Sequence, residues 1–86
     1  MRFGWNALKA AGHLRKHGVS FHEAVTVFFD PLSATGDDPD HSREERRLVT
    51  FGMSSSGRLL VVAHTEQNDA IRIITAREAT LPERKL

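Results

Sequence analysis

The chain contains no cysteine, which excludes disulfide staples, a thiolate nucleophile and cysteine-ligated zinc. It also lacks any run of about 18 apolar residues, so no segment reads as a membrane-spanning helix. Its first residues do not form the apolar stretch of a secretory signal, because Gly4, Asn6 and Lys9 interrupt it. A cytoplasmic location is the default expectation. There is no internal repeat and no low-complexity tract. Residues 30–40 carry Asp30, Asp37, Asp38 and Asp40 with no basic residue among them.

What is present fits one small domain spanning residues 1–86. Hydrophobic residues make up 40% of the chain and charged residues 27%, the balance of a soluble globular fold. The net charge of +1 does not by itself suggest a nucleic-acid binder. Its distribution permits one, since Arg2, Lys9, Arg15 and Lys16 face only Glu23 in residues 1–29.

Arg2-Phe3-Gly4-Trp5 alternates like a short edge strand with Phe3 and Trp5 on one face. Asn6 then caps a predicted helix over 7–17, with Leu8, Ala11 and Leu14 as its apolar stripe and Gly18 as its stop. Ser20-Phe21-His22-Glu23 is a capping-box pattern that opens a second helix, rich in Phe and ended by Asp30-Pro31. A short strand is expected over 32–35, and a polar loop over 36–46. Strands over 47–53, 58–66 and 71–77 follow, joined by Ser54-Ser55-Ser56-Gly57 and Gln67-Asn68-Asp69. Thr80-Leu81-Pro82-Glu83 is a second capping box, opening a helical stub of about one turn. The expected architecture is α+β: an antiparallel sheet of three to five strands, two N-terminal helices on one face and a short C-terminal helical turn.

Strand parity constrains the polar groups in the last two runs. Arg58, His64 and Glu66 share one face of their strand. Arg72 and Arg77 have opposite parity, so they converge only through a β-bulge or at a sheet end. Two readings stand side by side for these arginines: rim residues paired with Glu66, Glu78 or Asp69, or a polar site on a rigid sheet. His64 likewise reads either as a structural histidine or as a proton-transfer group. The spacing of Asp37, Asp38, Asp40 and His41 fits no EF-hand or zinc pattern and is expected to be a solvated loop. No metal and no cofactor is expected.

Taken in order, several segments resemble the BrnT family of toxins from bacterial type II toxin–antitoxin systems. They are Phe3-Gly4-Trp5 with Lys9, the segment Leu14 to Phe21, Phe28-Phe29-Asp30-Pro31-Leu32, and Asp38-Pro39-Asp40-His41-Ser42. Glu45-Arg46-Arg47 with Phe51-Gly52, Gly57-Arg58, His64-Thr65-Glu66 and the run Arg72 to Arg77 complete the match. The resemblance implies a RelE-like fold and a ribosome-independent mRNA endoribonuclease. It also implies a cognate ribbon-helix-helix, BrnA-like antitoxin, with operator DNA met only through that antitoxin.

The chemistry so implied is metal-independent attack of a 2′-OH on the adjacent phosphate. It calls for proton-transfer groups and for cations on the phosphorane, a task suited to the arginine fork. The expected catalytic residues are Arg72, Arg77, His64 and Glu66, and the expected RNA-backbone contacts are Lys9, Lys16, Arg47 and Arg58. Gln67 stands where the family commonly has Arg, and the chain stops at Leu86 without a Tyr-bearing terminal helix. These departures support a second reading, a toxin-fold binding module with little catalysis that acts as an antitoxin-bound co-repressor.

Overall fold

The computed structural model describes residues 1–38 and 46–85. The elements are β1 (Arg2–Gly4), α1 (Ala7–His17), α2 (Phe21–Thr26) with a 3₁₀ turn at Val27–Phe29, β2 (Ala34–Asp37), β3 (Leu48–Met53), β4 (Leu59–Gln67), β5 (Ala70–Glu78) and α3 (Leu81–Arg84). They form an α+β domain on one five-stranded sheet of order β1-β5-β4-β3-β2. No described helix is long and apolar enough to cross a membrane.

Local signals set most of the elements. The Asn6 side chain accepts the backbone N–H groups of Leu8 and Lys9, and Gly18 closes α1 at φ 69°. At the β4–β5 connection Asn68 and Asp69 both take positive φ, 52° and 63°. That is the demand of a two-residue hairpin turn, and Asn and Asp tolerate it best among residues with a side chain. The full capping box forms at α3, where Thr80 and Glu83 bond each other's backbone N–H.

At α2 only half of the expected box forms. Ser20 Oγ accepts the Glu23 N–H at 3.0 Å, but the Glu23 carboxylate does not turn back. It receives Arg58 Nε at 3.0 Å and Nη2, together with the hydroxyls of Ser54 (2.7 Å) and Ser56. A charged partner outcompetes a neutral backbone donor, and α2 is thereby tied to the β3–β4 turn. Asp30 ties the other end, accepting the Leu32 N–H at 3.0 Å and the Met53 N–H at 2.7 Å.

The core is built on one side of the sheet. Val19, Phe21, Ala24 and Val27 pack against Leu60, Val62, Ile71, Ile73 and Ala76, with Phe3, Trp5, Ala10 and Phe28 at the margin. Gly52 brings β3 against the 3₁₀ turn so closely that a Cβ there would lie 2.6 Å from Val27 Cγ1.

Four expectations change. β1 pairs with β5 in parallel, Phe3 opposite Ile71, so the sheet is mixed at that edge. The Leu8–Leu14 stripe of α1 is not buried: Leu8 is 86% exposed and Leu14 49%. Helix α1 leans on the core through Ala10 and through His13, whose ring lies 5.3 Å from that of Phe21. The second helix tightens into its 3₁₀ turn after Thr26, and the expected strand over 32–35 falls two residues later, because Asp30 holds Leu32 in a turn. Of the acidic loop, Asp37 pairs with Arg46 at 2.8 Å, while Asp40 and His41 lie outside the described residues. Among the described residues no three metal-ligating side chains cluster.

Candidate functional site

The β4–β5 register decides which polar groups meet. Ala63 pairs with Thr75 but His64 pairs with Ile73, so Ile74 is an extra residue, a bulge in β5. Before the bulge Ile71 and Ile73 face the core, and after it Ala76 does. Arg72 and Arg77 consequently both project from the opposite face, beside their β4 partners Thr65 and Val61. Those partners are four residues apart, which separates the two arginines by about 13 Å along the strand. They share a face without sharing a single phosphate position.

Their surroundings differ. Arg77 donates Nη1 to Glu83 Oε1 at 2.7 Å and Nη2 to Glu83 Oε2 at 2.9 Å, a bidentate pair that also holds α3 in place. The arginine holds the Glu83 carboxyl down to about 2, with the Thr80 backbone N–H adding to the effect. Arg72 has no hydrogen bond or ion pair through its guanidinium among the described residues and is exposed. It lines a shallow cleft of about 750 Å³ together with Arg2, Gly4, Trp5, Asn6, Thr65 and Gln67. A smaller crevice next to it is lined by Lys9, Asn6, Phe21, Arg72 and Ile74, so the start of α1 brings a second cation to Arg72. Lys16 is exposed seven residues further along α1, two turns away on nearly the same helix face.

The remaining expected site residues lie elsewhere. His64 is on the core face, 0% exposed, with Nε2 2.7 Å from Thr50 Oγ1, whose oxygen is 2.7 Å from Thr35 Oγ1. Its Nδ1 faces the Glu66 carboxylate at 3.9 Å, the Phe28 ring meets it edge-on, and burial lowers its pKa. It is built into the core and does not reach the cleft. Glu66 is half exposed at the hairpin end of the sheet. Arg58 is committed to Glu23 and to the Gly18 carbonyl at 2.9 Å. Arg47 is half-buried just before β3.

Sequence reasoning missed Arg2 and Gly4 as cleft walls, because the parallel β1–β5 contact that brings them there has no local signal. It also missed Glu83 as the partner of Arg77, although the second capping box had already marked that residue.

Comparison with known proteins agrees with this architecture. The crystal structure, at 1.1 Å resolution, of the Brucella abortus ribonuclease toxin BrnT is similar over 93% of this chain and 97% of that one, with a TM-score of 0.68 and 19% sequence identity. No curated protein matches the sequence. The profile of the family described as "Ribonuclease toxin, BrnT, of type II toxin-antitoxin system" matches residues 5–83. With nearly its whole length covered by that profile, the chain belongs to the BrnT family of ribonuclease toxins of type II toxin–antitoxin systems.

Proposed function

We propose that the protein is an mRNA endoribonuclease that cuts without a ribosome and without a metal, by transesterification through the 2′-OH. The observation that carries this reading is the open Arg72 guanidinium, mounted on a rigid strand at a cleft walled by Arg2 and flanked by Lys9. In the reaction the 2′ oxygen attacks phosphorus, its proton leaves to a base, and the 5′ oxygen departs as an alcohol after taking up a proton. The phosphorane carries the developing negative charge. Arg72 meets that charge with paired N–H donors and Lys9 with a point charge, the preorganised stabilisation that usually contributes most.

His64 is enclosed, and Glu66 shares its face of the sheet, the one opposite Arg72, so neither is assigned the proton transfer at this cleft. Arg77 and Lys16 take outer contacts to the RNA backbone, and Arg58 serves the fold rather than the substrate. A type II toxin has a cognate antitoxin, and the reading assigns it a ribbon-helix-helix antitoxin that also carries the complex to operator DNA in the cytoplasm.

A specific observation also supports the alternative of a catalytically weak co-repressor. The fork of Arg77 is already filled by Glu83, and Gln67 brings no charge to the cleft.

One experiment separates the two. Purified protein is incubated with single-stranded RNA in EDTA, and the product ends are analysed. The ribonuclease reading expects 2′,3′-cyclic phosphate ends, and Arg72→Ala lowering the rate by roughly 10²–10³-fold with unchanged circular dichroism. Intact RNA in the wild-type reaction would sink it in favour of the co-repressor.

A further inference from the structure

The cleft beside β1 has features that a phosphate clamp alone does not require. Gly4 pairs with Arg72 across the parallel β1–β5 contact. A Cβ at Gly4 would meet nothing within 4 Å, and its φ is not in the left-handed region. Neither packing nor backbone conformation asks for glycine there. The missing side chain leaves the floor of the cleft bare beside the open guanidinium.

Trp5, the single tryptophan of the chain, lines the same cleft. It is half-buried and braced edge-on by Phe21 at 6.0 Å and His22 at 4.8 Å between ring centroids. At the hairpin end the cleft is lined by Gln67 and Asn68, both exposed. A carboxamide offers a donor and an acceptor side by side without charge, the pairing that complements a base edge. The cleft volume of about 750 Å³ falls within the roughly 300–1,000 Å³ typical of small-ligand sites.

We propose that this cleft is a nucleotide subsite that admits one unstacked base of single-stranded RNA. The proposal rests on the reading of Arg72 as a phosphate clamp. Trp5 is the surface against which the base lies, Gly4 is the gap that lets it in, and Gln67 is the specificity-determining residue at its edge. An aromatic surface accepts any base, so affinity comes from stacking while discrimination comes from the carboxamide. Paired RNA keeps its bases within the helix and offers mainly backbone and 2′-OH groups, so the subsite selects single strands.

The test uses 2′-O-methyl oligonucleotides, which lack the attacking hydroxyl, differing only in one base and titrated against the emission of Trp5. Saturable quenching by single strands and none by the matching duplex is expected. Gly4→Leu should weaken binding at least tenfold while the thermal midpoint and circular dichroism stay unchanged. Gln67→Ala should keep binding but bring the affinities for the four bases together. Unchanged Trp5 emission, unchanged affinity in Gly4→Leu, or unchanged base discrimination in Gln67→Ala would each overturn the proposal.

Cleavage of unmodified RNA, run in parallel, keeps the two readings apart. Binding at Trp5 without cleavage removes the ribonuclease and leaves the subsite. Cleavage that Gly4→Leu does not affect removes the subsite and leaves the ribonuclease.

Discussion

The Arg77 guanidinium and the Glu83 carboxylate face each other fork to fork, at 2.7 and 2.9 Å. A carboxylate in that position occupies the donors a phosphate would use. Replacement by an amide, Glu83→Gln, leaves Arg77 without its anion. The expected outcome is tighter binding of single-stranded RNA and a steeper salt dependence, by about 0.7 in the slope of log K against log salt for one added phosphate contact. Affinity measured from low to moderate salt checks this. An unchanged slope would show that Arg77 meets no phosphate even when released.

The Glu23–Arg58 pair makes a prediction in pH. Hydrogen bonds from Arg58, with help from Ser56 and Ser54, lower the Glu23 carboxyl from 4.5 to about 2. A depressed carboxyl stabilises the fold fully above about pH 4.5, and that contribution is lost as pH falls toward about 2. Urea unfolding between pH 6 and 2 is expected to show the decline in wild type and a flatter curve in Glu23→Gln. Glu23→Ala at neutral pH strands Arg58 and two hydroxyls, at a cost of about 1–3 kcal/mol.

His64 makes a second pH prediction in another window. Burial places its pKa below 6.5, so the unfolded chain takes up this proton first as pH drops. Stability from this group is full above 6.5 and falls below it, until the depressed folded value is passed. Comparison of wild type with His64→Gln by denaturant titration from pH 8 to 5 isolates that slope. Thr50→Val leaves Nε2 of His64 and the Thr35 hydroxyl without their shared partner, and should cost about 1–3 kcal/mol.

Two glycines are expected to behave oppositely. Gly12 lies inside α1, and a Cβ there meets nothing within 4 Å. Gly12→Ala should therefore stabilise by up to about 1 kcal/mol through helix propensity. At Gly52 the same methyl would press on Val27 Cγ1 at 2.6 Å and on Ser33 Cβ at 3.0 Å. Gly52→Ala should cost about 1–3 kcal/mol, read as a lowered thermal midpoint.

The legible parts of the sequence are those governed by near neighbours. Asn6, Gly18 and the Thr80–Glu83 box act within four residues, and the helices they delimit are where they place them. The expected connection over 67–69 tightens to Asn68-Asp69, with Gln67 already paired in β4. What the sequence hid depends on remote partners. Nothing near Glu23 announces that Arg58, 35 positions later, will draw its carboxylate away from the capping box. Nothing in Arg2–Gly4 announces a parallel contact with the last strand, so the walls of the cleft could not be assembled. His64 shows the limit of parity: alternation fixes which strand residues share its face, not which face the helices cover.

The extra residue at Ile74 changes how spacing in such strands should be counted. Five sequence positions separate Arg72 from Arg77, while the facing strand advances only four, from Val61 to Thr65. A chain lacking Ile74 would run as an unbroken ladder and still present both arginines on the same face. Their alignment is thus not what the added residue supplies. What it adds is a bend in β5 and an apolar wall for the crevice where Lys9 meets Arg72. Proteins differing by one residue here can share the same arginine face, and rungs of the ladder, not residues of the chain, are the unit in which they correspond.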